Sequence, residues 1–121
     1  MFAVEIDQPK KLVTISYMEH VDVAEAKTCA EQLRAAIAGL PSGFRVLVDM
    51  SRLDSMDLEC APYLEQMMDS CDDQGVGTVV RVIPDPHKDI GFGIMSAFHY
   101  RRSVNFVTCA RLREALAVLA I

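Results

Sequence analysis

A chain of 121 residues, 51% hydrophobic and 24% charged, has the size and composition of one folded domain with its own core, and this excludes a disordered segment. The net charge of −5, from 12 Lys and Arg against 17 Asp and Glu, works against a nucleic-acid surface, which needs clustered cations. No apolar run is long enough to span a bilayer, and the start MFAVEIDQPKK, broken by Glu5 and Asp7, lacks the pattern of a secretory leader, so a cytoplasmic protein is expected.

Phe2 to Ile6 alternates apolar and polar residues, as does Lys11 to Tyr17, and Asp7-Gln8-Pro9-Lys10 supplies a turn between them. A β-hairpin is predicted. Asp22 followed by Glu25 is a capping-box pattern, and the helix it starts carries Ala26, Cys29, Ala30, Leu33, Ala36 and Ile37 on one stripe. Gly39, Pro41 and Gly43 end it. Phe44 to Met50 reads as a third strand, with the consecutive apolar Val46, Leu47 and Val48 of a strand covered on both faces. Ser51 to Asp57 reads as a loop. The second helix is predicted from Leu58, with Asp57 as N-cap, Gly75 as its stop, and a buried stripe of Leu58, Ala61, Leu64, Met68 and Cys71. Pro62 falls in its first turns, where a missing N–H costs least.

Gly77 to Ile83 is a fourth strand, and Pro84-Asp85-Pro86 turns the chain. His87 to Tyr100 carries Ile90, Ile94, Met95 and Phe98 at helical spacing despite Gly91 and Gly93, and predicts a third helix with Arg101-Arg102 at its end. Val104 to Val107 is a short fifth strand, and Thr108 caps a last helix over CARLREALAVLA. The order ββαβαβαβα predicts an α/β domain over residues 1–121, with about five strands in a mixed, mainly parallel sheet and about four helices.

Cys29, Cys60, Cys71 and Cys109 form no metal-ligand spacing and read as buried thiols. His20, His87 and His99 are far apart in sequence, with no carboxylate partner in view. Asp69, Asp72 and Asp73 read as a solvated helix end rather than a calcium site. No metal and no cofactor is expected.

Three stretches together resemble the STAS family of sulphate transporters and anti-sigma-factor antagonists, over roughly residues 10 to 120. Val21-Asp22 resembles its Leu-Asp before the first helix. Val46 to Ser51, VLVDMS, resembles its third-strand motif, and NFVTCARLREAL, Asn105 to Leu116, resembles its closing strand and helix. The family's Asp-Ser-Ser-Gly loop could fall on Asp54-Ser55-Met56-Asp57 or on Asp57-Leu58-Glu59-Cys60. Asp57 stands eight residues after Asp49, and Leu64 seven after Asp57, which is the family spacing and selects the second register. The position of the phosphorylatable serine is then Leu58, which has no hydroxyl. Ser51 and Ser55 remain as displaced acceptors, or as hydroxyls bonding the loop backbone.

The resemblance implies a non-catalytic regulatory domain that binds a protein partner, such as an anti-sigma-type kinase, through Ser55, Met56, Asp57, Leu58, Glu59 and the third helix, without a serine phospho-switch. Met56, Met67, Met68 and Met95, with Phe92 and Phe98, pack a core or line an apolar groove, and a groove would suit the alternative of a lipid or small-ligand carrier. An enzyme ranks last, since no nucleophile–base pair can be assembled from the sequence. Homodimerisation through an edge strand or the third helix is compatible with each reading.

Overall fold

The computed structural model describes residues 1–83 and 104–121. Strand β1, Phe2–Asp7, pairs antiparallel with β2, Leu12–Val21. Helix α1 covers Val23–Ile37, β3 covers Arg45–Met56, and a single 3-10 turn over Leu58–Cys60 leads into α2, Ala61–Asp73. Then follow β4, Thr78–Val82, β5, Asn105–Cys109, and α3, Leu112–Leu119. The sheet has five strands in the order β1-β2-β3-β4-β5, with every pair after the first parallel. The expected mixed, mainly parallel architecture is present. The described residues hold three α-helices rather than about four. The helix predicted over 87–100, with His87, Phe92, Met95, Phe98 and His99, lies outside the described residues, as do Arg101 and Arg102.

Alternation along the strands builds two cores. Val13, Ile15 and Tyr17 of β2, Val46 and Val48 of β3 and Val79 of β4 face one side, where they meet Leu33 and Ile37 of α1 and Leu64 and Met67 of α2. Leu12, Leu47, Val80, Val82 and Cys109 face the other side, under Ala115 and Leu119 of α3. Arg45 ties this second layer down: its Nη2 donates to the Lys10 carbonyl at 2.8 Å and its Nη1 to the Leu119 carbonyl at the end of α3.

The capping box at α1 is present as predicted. Asp22 Oδ1 accepts from the Glu25 N–H at 2.8 Å, and the Asp22 N–H reaches Glu25 Oε1 at 3.3 Å. The helix buries Ala26, Cys29, Ala30, Leu33 and Ile37 of the predicted stripe. At the end of α2, Gly75 takes φ 87, and the Val76 N–H closes back on the Cys71 carbonyl at 3.0 Å. A Cβ at Gly75 would lie 2.5 Å from Ser42 Oγ, so glycine is needed there for space as well as for conformation.

Three local readings are corrected. The stretch expected as a loop, Ser51 to Asp57, is strand as far as Met56. Beyond Asp49, β4 has ended and, among the described residues, β3 pairs with β2 alone; Ser51, Arg52, Asp54 and Ser55 are exposed there, while Met50 and Leu53 stay buried. Asp57 does not cap a helix with its side chain, and α2 begins only at Ala61. Pro62 has no N–H to give the Leu58 carbonyl, so the Ala61 N–H takes that acceptor in a 3-10 pattern instead. Thr108 is not a cap either: it lies in β5, and its hydroxyl accepts from Arg81 Nε at 2.9 Å, while Arg81 also stacks on Phe106 at 4.9 Å.

Candidate functional site

In open parallel sheets, the carboxyl ends of the strands leave a surface on which side chains from several elements converge. Here β2 and β3 run past the end of β4 and carry His20, Ser55 and Met56 to that end, with Asp57, Leu58 and Glu59 just beyond. The β2–β3 pairing shifts register twice, between Ser16 and Met18 and between Glu19 and His20. Glu19 sits at φ 57, a left-handed conformation that costs about 1 kcal/mol or more in a residue with a side chain. Such an irregularity re-aims the next side chain. After it, His20 lies opposite Ser55 and Val21 opposite Met56.

The result is a cluster of three polar groups. His20 Nδ1 lies 2.7 Å from Ser55 Oγ, and His20 Nε2 lies 3.3 Å from Asp57 Oδ1. The His20 and Asp57 side chains are about half exposed, at 51% and 40%. Backbone bonds fix the frame: the Asp57 N–H donates to the Val21 carbonyl at 3.1 Å, and the Cys60 N–H to the Asp57 carbonyl at 3.0 Å. No carboxylate lies near His20 by sequence spacing, and the register break brings Asp57 to it. Parallel pairing in the register of Ser16 and Asp49 would bring residue 20 only to residue 53; the two shifts carry it on to residue 55, and no pattern in the sequence marks them.

Leu58 departs most from expectation. Helical spacing predicts it on the buried stripe of a helix, but it is 69% exposed, the most exposed of the large hydrophobic residues described. A 3-10 turn advances its side chains faster than an α-helix, so the stripe that holds from Leu64 to Cys71 is out of phase by residue 58. Glu59 is also exposed, while Met56 and Asp57 are half-buried. Cys60 turns inward, its Sγ 3.7 Å from the Val21 carbonyl.

Met67 and Met68 belong to the interior. The Tyr17 hydroxyl, wholly buried, donates to Met67 Sδ at 3.4 Å and accepts from Cys29 Sγ at 3.7 Å. An apolar cavity beside them, lined by Ile15, Leu33, Leu64 and Met68 among others, holds about 20 Å³, room for a single water rather than an acyl chain. All four cysteines are free and buried, and burial pushes Cys29 up to about 11 and Cys71 up to about 12. Thiols held protonated in this way are poor nucleophiles. Among the described residues no group of three His, Cys, Asp or Glu side chains could hold a metal ion, and no helix is long and apolar enough to cross a membrane.

No family model matches the chain, and no curated protein matches it. Solved structures do. An uncharacterised protein with a SpoIIAA-like fold from Shewanella loihica superposes with a TM-score of 0.71 at 16% identity, over 98% of this chain and 92% of that one. The Bacillus cell-fate determinant SpoIIAA, in its phosphorylated form, gives 0.69 at 16% identity, over 98% and 99%. The anti-sigma-factor antagonist SpoIIAA in its unphosphorylated form gives 0.68 at 15%, over 99% and 98%. The fold is STAS-like. At these identities the likeness carries the architecture, and it does so over nearly the whole length of both chains. In this STAS-like domain the strand ends of β2 and β3 present Leu58, with no hydroxyl, beside the cluster of His20, Ser55 and Asp57.

Proposed function

We propose that this STAS-like domain is a regulatory protein-interaction module whose contact surface is centred on Leu58 and flanked by Ser55, Met56, Asp57 and Glu59. One observation carries the reading: a leucine held 69% exposed by a short, hydrogen-bonded turn at the carboxyl end of the sheet. An exposed apolar side chain is ordinary in itself. This one is presented on fixed backbone, with charged neighbours on both sides, as the anchor of a contact surface is. The likeness to anti-sigma-factor antagonists supports a partner of anti-sigma type.

The same residue removes a switch. Phosphate on a serine adds up to about two negative charges to a contact surface and opposes binding there. Leu58 offers no oxygen for it, so the module binds without a phospho-switch at this position. Calorimetric titration of the domain into an anti-sigma-type protein from the same cell, before and after prolonged incubation with Mg-ATP, tests this. Binding that is unchanged by the incubation, with no mass gain on the domain, is expected. ATP-dependent loss of binding together with a phosphorylated residue would overturn the switch-free reading, and the absence of binding in either condition would overturn the module itself.

A further inference from the structure

The cluster beside Leu58 has a chemistry that partner contact does not require. An ionised Asp57 carboxylate only accepts, so the ring nitrogen facing it, His20 Nε2, is the one that keeps a proton. In the neutral ring this leaves Nδ1 as an acceptor, and Ser55 Oγ donates to it over 2.7 Å. A hydroxyl on an imidazole that is itself held by a carboxylate is the arrangement by which serine becomes a nucleophile. The identity of the ring nitrogen facing the hydroxyl does not alter the proton transfer. Three separate features of the chain build this arrangement: the left-handed Glu19, the register break after it, and the extension of β3 to Met56. Backbone strain is retained where the surrounding structure imposes it, and functional sites are where it gathers.

The charges near the cluster select the electrophile. Among the described residues, Glu19, Asp54, Asp57 and Glu59 lie at or just beyond the two strand ends, against Arg52, His20 and the N-terminal ammonium, which donates to the His20 carbonyl. A nucleotide or an acyl phosphate brings negative charge into that field and is repelled. An uncharged ester is not, and Leu58, next to Asp57 in the chain, offers apolar surface to its acyl part.

We propose that Ser55 is a nucleophile activated by His20, which takes an acyl group from an uncharged ester once per molecule. Ser55 Oγ forms a bond to the carbonyl carbon while its proton passes to His20 Nδ1, and Asp57 offsets the charge on the imidazolium. The bond from the carbonyl carbon to the ester oxygen breaks, and the imidazolium returns its proton to the departing oxygen. The products are acyl-Ser55 and an alcohol, with no oxidation or reduction. The acylated side chain lies on the surface proposed for the partner, but the chemistry is read on the isolated domain and does not depend on that reading.

The test is site-resolved mass spectrometry of the whole chain after treatment with p-nitrophenyl acetate, with Ser51 on the same strand as internal reference. Ser55 is expected to gain acetyl at least about tenfold faster than Ser51, in line with the modest end of general-base assistance. His20→Gln, which keeps a polar group but no base, should bring Ser55 to the rate of Ser51, and Asp57→Asn should fall between. His20 and Asp57 are half exposed, so these variants are expected to fold, which circular dichroism checks. Acetylation of Ser55 no faster than Ser51, or a rate that His20→Gln leaves unchanged in the folded protein, would overturn the proposal.

Discussion

Leu58→Ala is expected to weaken binding to an anti-sigma-type partner by about 2 kcal/mol, roughly thirtyfold, while changing the unfolding free energy by no more than about 0.5 kcal/mol. The binding loss follows from what a leucine gains when a partner covers it. The side chain is 69% exposed in the free domain, so nearly all of its transfer free energy is still available to the contact. The small effect on stability follows from the same number, because the side chain has little to lose on unfolding. Leu58→Asp should weaken binding further, since a carboxylate would have to be desolvated among Asp57 and Glu59. Calorimetry for binding and urea titration for stability separate the two effects. Loss of stability comparable to the loss of binding would mean that Leu58 is a packing residue after all.

Leu33→Ala should show the reverse. Leu33 is 1% exposed on α1, facing the sheet and the small cavity beside Met68. Truncation removes its transfer free energy and enlarges a void that the rigid strands beneath cannot close, for a cost of about 2–5 kcal/mol. Against a total stability of about 5–15 kcal/mol for a domain, that is a large fraction. Urea unfolding should show the midpoint fall with little change in the slope. Partner affinity, measured where the variant remains folded, should stay near that of the parent, because α1 does not contribute Leu33 to the exposed strand ends. A cost below about 1 kcal/mol would mean that α1 is not seated on the sheet as described.

The contrast between two leucines shows what one sequence reveals and what it hides. Leu33 was readable because its neighbours Ala26, Cys29, Ala30 and Ile37 repeat at helical spacing behind a capping box at Asp22 and Glu25. The hairpin, the alternation in β2 and the consecutive apolar residues of β3 were readable for similar local reasons, and they suffice for the order of elements. Leu58 was misplaced because Pro62 converts the first turn to 3-10 geometry and slips the phase of the stripe. Ser51 to Met56 reads as a loop because, among the described residues, the strand there has a partner on one side only and buries just Leu53, so burial does not write a clear alternation into it. Thr108 looked like a cap because a hydroxyl before a helical pattern usually is one, whereas its use here is set by Arg81 on the neighbouring strand.

The candidate site was half readable. The spacing from Asp49 to Asp57 and on to Leu64 puts Asp57 and Leu58 at the start of the second helix, whereas they stand before and in a 3-10 turn, three residues ahead of α2 at Ala61 in the case of Leu58. The contacts of His20 were out of reach, because they depend on the register between two strands joined through α1 and on a break in that register at Glu19. Nothing local marks residue 20 as a neighbour of residues 55 and 57.

The strand ends of β2 and β3, with Leu58 at the centre, form the surface proposed for partner binding. Amide and methyl NMR of the labelled domain, titrated with an anti-sigma-type partner, reads that surface directly. The largest shift changes are expected at His20 and from Ser55 through Glu59, with the Leu58 methyl groups broadened or shifted most. Changes confined to the opposite layer, at Leu112 and Val118 of α3, with residues 55–59 unmoved, would contradict it.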